Sequence, residues 1–250
     1  MMNKAVIQDA ANQLLQANEQ GETCAPIREM FDHVCVDTAY AVQDINTEHW
    51  LQSGRRLVGR KIGLTSKVVQ TQLGVDQPDY GMLFADMHRD NGQEIDIGDV
   101  LQPKIEAEIA LVLKSDLTEE VHTVADIISA TAYVLPALEI VGSRVANWDV
   151  SIMDTIADNA SSGLFVLGHE PRQISDIDLL LCGMVMERGA DQVSVGAGLA
   201  CLGSPLNAAA WLANVMVKNQ RPLKAGDILL SGALGPMVSV DPGDVFTARI

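Results

Sequence analysis

The sequence predicts an α+β fold with a β-rich core behind a helical N-terminal segment, and three observations predict it. Residues 4 to about 54 carry apolar side chains at helical spacing. Beyond residue 55 the chain turns into short apolar runs rich in Val, Ile and Leu, punctuated by Gly, Pro and Asp, which is the pattern of strands. Those strands outnumber the intervening helices and do not alternate regularly with them, which argues against a doubly wound sheet.

Taken in order, "AVIQDAANQLLQANEQ" sets Val6, Ala10, Leu14 and Ala17 on one helix face. "DTAYAVQDINTEHWLQSG" reads as a second helix, capped by Asp37 and ending near Gly54. The division is therefore a helical segment over 1–55 and a main domain over 56–250. Strands are expected in "RLVGRKIGLT", "EIDIGDVLQPKIEAEIALVL", "AYVLPALEIVGSR", "SSGLFVLG", "LLLCGMVMERG", "GDILLSGALGPMVSV" and "GDVFTARI". Two helices interrupt them. "VADIISATA" follows Thr123 as N-cap, and "PLNAAAWLANVMVKNQ" follows Ser204 as N-cap with Pro205 at the first helical position. The Trp211, Val215 and Met216 stripe of the latter reads as packing.

Composition narrows the function. With 48% hydrophobic residues and a mean hydropathy of +0.14, the 250-residue chain has the means for a sizeable core. A net charge of −16 with no basic cluster argues against nucleic-acid binding, and any site for an anion needs a local cation. Cys24, Cys35, Cys182 and Cys201 show no CxxC spacing and read as buried thiols in a reducing cytosol. The charged, helix-patterned N-terminus is unlike a signal peptide, and no apolar run reaches the ~18 residues of a membrane span. A cytoplasmic protein without a membrane partner is expected.

Chemistry concentrates in "LQPKIEAEIALVL". Strand alternation puts Ile105, Ala107, Ile109, Leu111 and Leu113 on one face and Glu106 and Glu108, about 7 Å apart, on the other. On a solvated face these would be ordinary surface charge. The run is apolar on both sides, however, no Lys or Arg alternates with the glutamates, and Glu139 sits in an equally apolar run. Buried carboxylates must be paired, protonated or metal-bound. Three oxygen ligands suit a hard cation such as Mg²⁺ or Mn²⁺, and the absence of His and Cys disfavours zinc. Lys61 in "GRKIGLTS" reads as a surface lysine when taken alone, and Asp79 as a Pro-Asp-Tyr-Gly turn residue. "IADNASSG" reads as a polar loop, and "GALGPMVSV" as a tight bend or a close backbone approach to ligand.

Together, "GRKIGLTS", "LGVDQPDYG", "PKIEAEIA", "ALEIVGSR", "DTIADNASSG", "LGSPLNAAAWLA" and "GALGPM" resemble, in this order, the motifs of the 2-keto-4-pentenoate hydratases, in the hydratase/decarboxylase branch of the fumarylacetoacetase-like superfamily. The resemblance runs from about residue 5 to 250, although the chain ends at "VFTARI" where such proteins usually continue into a further strand. It implies a mixed β-sandwich or β-roll core and a metal held by Glu106, Glu108 and Glu139. It also implies that Lys61 and Asp79 act on the substrate, that Ser161 lines the pocket and that Leu83 and Phe84 lie near it. The implied reaction is hydration of 2-hydroxypenta-2,4-dienoate to 4-hydroxy-2-oxopentanoate in meta-cleavage of aromatic compounds. A homo-oligomer, pentamer-based in such families, and association with other enzymes of the pathway are implied as well.

The rivals are a 4-oxalocrotonate-type decarboxylase, a hydratase of a longer dicarboxylic dienoate, and a C–C bond hydrolase. The hydrolases typically use a His–Glu pair, whereas His33, His49, His88, His122 and His169 all fall outside the motifs. A non-catalytic subunit partnering a decarboxylase is a further class, which turnover by the isolated chain would exclude.

Overall fold

The computed structural model describes residues 4–33, 35–67, 70–71 and 75–250. Positions 73 and 74, which open the motif "LGVDQPDYG", and positions 1–3 of the helical segment lie outside the described residues.

The chain opens with helices α1 (Lys4–Gln20) and α2 (Val36–Gln52). α1 buries Ile7, Ala10, Ala11, Leu14 and Ala17, so its stripe is centred on Ile7 rather than Val6. The N-cap of α2 is Cys35, not Asp37. Asp37 occupies the first turn, where its charge still complements the helix dipole. α1 packs on α2, which packs in turn on α4 (Ile152–Ala157), a helix not anticipated from the sequence, and Ile7, Leu14, Ile27 and Val42 share a core with Val145, Met153 and Ile156. Arg28 ties the segment down through Asp154 (2.7 Å) and Asp149 (2.8 Å).

The main sheet contains β1 (Leu57–Gly63), β2 (Asp79–Phe84), β3 (His88–Arg89), β4 (Lys104–Leu113), β5 (Thr131–Val141), β6 (Leu164–Leu167), β9 (Ile228–Leu230) and β10 (Val238–Ser239). Its order is β2-β1-β9-β4-β5-β6-β3, with β10 pairing β4. The β1/β9 and β3/β6 pairs are parallel and the others antiparallel. A second, antiparallel sheet has the order β11-β7-β8, from β7 (Gly183–Arg188), β8 (Asp191–Ala197) and β11 (Phe246–Arg249). This mixed architecture is the expected α+β class.

Helices α3 (Val124–Ala130) and α5 (Pro205–Lys218) begin where predicted: Thr123 and Ser204 each accept a backbone N–H through the side chain. Ile127, Leu212 and Met216 from these helices join Ile62, Met82, Ile109, Leu111 and Phe165 of the main sheet and Met184 and Met186 of the second in one core. Trp211 and Val215 pack at its margin.

Four local expectations are corrected. Asp79 opens strand β2 instead of sitting in a turn, because β1 pairs with every residue from Asp79 to Phe84.

 The paired positions run from Gly63 opposite Asp79 to Leu57 opposite Phe84, and this tertiary pairing overrides the local turn preference. β8 has no counterpart among the expected strands, since its "DQVSVGA" holds only the short alternation of Val193, Val195 and Ala197 and no apolar run. "EIDIGDV" contributes a single helical turn at Ile97–Asp99, with the strand beginning only at Lys104. Gly198–Lys218 does reach the length and mean hydropathy of a membrane span, but its helical part is α5, whose Ala208, Ala209, Leu212, Ala213 and Met216 are buried in the core.

Candidate active site

Sheet register alone gathers the candidate residues. Lys61 stands opposite Gly81, and Asp79, two residues along β2, shares that face. Lys61 is also level with Leu230 of β9, which is level with Ala110 of β4. Two and four residues back from Ala110 on the same face come Glu108 and Glu106, and Glu106 lies directly opposite Glu139 of β5. Alternation thus brings Lys61, Asp79, Glu106, Glu108 and Glu139 onto one face of the sheet, although 78 positions separate the first from the last in the numbering.

All five are buried. A ligand oxygen from each of Glu106, Glu108 and Glu139 lies within 4.8 Å of the other two. Lys61 Nζ is 3.2 Å from Glu139 Oε2 and donates to the Ala160 carbonyl at 3.0 Å. Glu108 Oε2 accepts the Gly232 backbone N–H at 2.8 Å, which leaves Oε1 without a partner. Glu139 Oε1 and both oxygens of Asp79 also lack hydrogen bonds. Buried polar atoms are nearly always partnered, so this concentration of open acceptors marks a place prepared for something else. The "GALGPM" stretch therefore enters the site through its backbone. Gly232 has φ +104°, and a Cβ there would come 2.4 Å from Thr65 Oγ1, so glycine is required for the N–H to reach Glu108. Gly63 serves similarly, since a Cβ would meet Asp79 Oδ1 at 2.2 Å.

The electrostatics follow from burial. Burial raises Asp79 to about 6, against the opposing pull of Lys61, and raises Glu139 to about 7. Glu108 is pushed well above the usual carboxylate range by burial and by Glu139 and Glu106, and Glu106 is raised by burial. Burial works to lower Lys61, but Glu139, Glu106, Asp79 and Glu108 outweigh it and hold the ammonium protonated.

Ser161 is buried with an unpartnered Oγ, next to the carbonyl that receives Lys61. Leu83 shares the β2 face of Asp79, whereas Phe84 is on the other face, with its ring edge-on to Trp50 and under the Arg55 guanidinium. "IADNASSG" is a buried junction rather than a solvated loop: Asp158, Asn159, Ser161 and Ser162 are all buried. A cavity of about 160 Å³ opens elsewhere, lined by Gln43, Trp50, Arg55 and Arg144, but its two cations are engaged by Asp86 and Asp158.

The family model for the fumarylacetoacetate (FAA) hydrolase C-terminal region matches residues 34–250. The chain belongs to the fumarylacetoacetate hydrolase family. It is 60% identical to 2-keto-4-pentenoate hydratase 1 of Dechloromonas aromatica over 96% of this chain and 92% of that protein. It is 58% identical to the TodF product hydratase of Pseudomonas putida over 98% of this chain and 91% of that protein. Among solved structures, 4-oxalocrotonate decarboxylase from Pseudomonas putida G7, complexed with magnesium and adipate, superposes with a TM-score of 0.95 at 33% identity, covering 100% of this chain and 95% of that one. Within this family the chain is an enzyme of the 2-keto-4-pentenoate hydratase type, a hydro-lyase.

Proposed function

We propose that the enzyme adds water to 2-hydroxypenta-2,4-dienoate, giving 4-hydroxy-2-oxopentanoate, with a divalent Mg²⁺ or Mn²⁺ held by Glu106, Glu108 and Glu139. The observation that carries this reading is the trio of buried carboxylates within 4.8 Å of one another, with open acceptor atoms on Glu108 and Glu139. An all-oxygen donor set fits a hard cation. Held by these three carboxylates, such a cation would supply Lewis-acid chemistry and the local positive charge that an anionic substrate needs in a chain of net charge −16.

The chain's own residues then move protons. The dienol loses its hydroxyl proton and gains one at C5, leaving an α,β-unsaturated ketone. Water adds its oxygen to C4 and a proton goes to C3, so the balance is one water gained. Asp79, raised to about 6, both accepts and returns a proton near neutral pH and is assigned the base role toward water. Lys61 stays cationic and is assigned the donor role and the stabilisation of enolate charge. Ser161 Oγ offers a hydrogen bond to the substrate, Leu83 an apolar wall, and Phe84 supports that wall from the far side of β2. The four free cysteines support a cytoplasmic enzyme, and the family likeness supports a homo-oligomer associating with other meta-cleavage enzymes.

The decarboxylase likeness at 33% identity keeps one rival, loss of CO₂ from a vinylogous 2-oxo acid. Incubation of the purified protein with freshly generated dienoate and Mg²⁺ separates the two. Loss of dienol absorbance with a product heavier by one water and no CO₂ supports hydration, while CO₂ release from 4-oxalocrotonate at a comparable rate would overturn it.

A further inference from the structure

Asn159, Ala160 and Ser161 have φ of +53°, +51° and +56°. None is glycine, and left-handed backbone is uncommon for other residues apart from Asn and Asp. Three such residues in a row persist only where the surroundings over-determine them. Here they do. Arg144 donates its backbone N–H (2.9 Å) and its Nε to the Asp158 carboxylate, Nη2 to the Asp158 carbonyl (2.8 Å) and Nη1 to the Ser162 carbonyl (3.0 Å). Ser162 Oγ donates to the Asn159 carbonyl at 2.8 Å.

The fastening on the other side is Asn159 itself. Its Nδ2 donates to the Met82 carbonyl at 2.9 Å and its Oδ1 accepts the Met82 N–H at 2.7 Å. β2 is an edge of the main sheet among the described residues, so this carboxamide stands where a further strand would pair. The approach is close: a Cβ on Gly81 would lie 2.2 Å from the Asn159 carbonyl oxygen. What the strained turn delivers is the Ala160 carbonyl at 3.0 Å from Lys61 Nζ, with the free Ser161 Oγ beside it. An ammonium has three N–H bonds. With one directed to the Ala160 carbonyl and Glu139 Oε2 3.2 Å away as its ion-pair partner, the ammonium is held in place from two sides.

We infer that Asn159 is a positioning residue: its two-way clamp on Met82 locks the left-handed turn that aims the Lys61 ammonium. The inference rests on the proposed hydration, in which Lys61 delivers a proton. Two variants test it. Asn159→Gly keeps the backbone at ease with positive φ and removes the clamp. Asn159→Asp keeps the size but sets an acceptor against the Met82 carbonyl. In both, kcat is expected to fall about tenfold or more, a part of the general acid–base contribution. KM and the Mg²⁺ affinity measured by calorimetry without substrate should stay within about threefold, since the carboxylates are untouched. Should Asn159→Gly fail to fold, Asn159→Asp carries the test. Wild-type kcat in a folded variant would overturn the clamp, and so would a joint fall of kcat, substrate affinity and Mg²⁺ affinity, which would make Asn159 merely structural. No hydration by the wild type would overturn the functional reading and this inference with it, whereas wild-type hydration with unaffected variants overturns the clamp alone.

Discussion

Two buried charge clusters lie close together in this molecule and differ in one respect. Arg144 and Asp158 form a closed pair. Four donors of Arg144 reach the Asp158 carboxylate, the Asp158 carbonyl and the Ser162 carbonyl, and neither side chain has an unpartnered buried atom. Lys61, Asp79, Glu108 and Glu139 are as deeply buried, yet both oxygens of Asp79, both of Glu139 and one of Glu108 carry no hydrogen bond, even though Lys61 lies 3.2 Å from Glu139 Oε2 as an ion-pair partner. Burial of charge is common to both. Unmet bonding capacity belongs only to the second, and it separates a cluster that fastens the chain from one proposed to hold a cation and meet the substrate.

Breaking the open cluster at a proposed metal ligand should have the largest effect. Glu108→Gln keeps the size and the fold but removes the charge that holds a hard cation. Turnover should be abolished and Mg²⁺ binding lost in calorimetry, with normal turnover showing the ligand assignment to be wrong. Chelation by EDTA should do the same to the wild type, reversibly on adding Mg²⁺ or Mn²⁺. Breaking the closed cluster should read as stability instead. Arg144→Met leaves Asp158 buried without its cation, a change that typically costs about 3–5 kcal/mol. A large drop in the denaturation midpoint is expected, and an unchanged midpoint would remove the contrast.

Next in size are the proposed proton carriers. Lys61→Ala and Asp79→Asn should each lower kcat about 10²-fold, or ~2.7 kcal/mol, with the metal still bound and the double variant less than additive. Near wild-type kcat in either variant would take that residue out of the mechanism.

How much of this was legible in the sequence depended on range. The glutamates showed in β4 and β5 because alternation is local and an acidic pair in an apolar run is visible in ten residues. Thr123 and Ser204 were legible as caps for the same reason. Asp79 was misread as a turn residue because its strand is imposed by β1, and "IADNASSG" looked solvated because the partner of Asn159, Met82, is 77 positions away. The functional weight of Lys61 came through resemblance. Nothing near it in sequence says that it meets Glu139.

The smallest predicted effect is on pH dependence. Glu139 is raised to about 7 and Glu108 and Glu106 are raised as well, so the metal-free fold holds protons that the unfolded chain has lost. Its stability from these groups is present below the unfolded value of about 4.5 and declines as pH rises toward 7. A divalent ion must displace those protons, so the rise in melting temperature on adding Mg²⁺ should grow from pH 5 to pH 8. An equal rise at both pH values would contradict it.

The most direct test of the central claim is the stoichiometry of Mn²⁺ binding, measured by equilibrium dialysis on the wild type, Glu108→Gln and Lys61→Ala. The open carboxylates predict one tightly held ion per chain in the wild type and in Lys61→Ala, and none in Glu108→Gln. An ion retained by Glu108→Gln at wild-type affinity, or none held by the wild type, would contradict it.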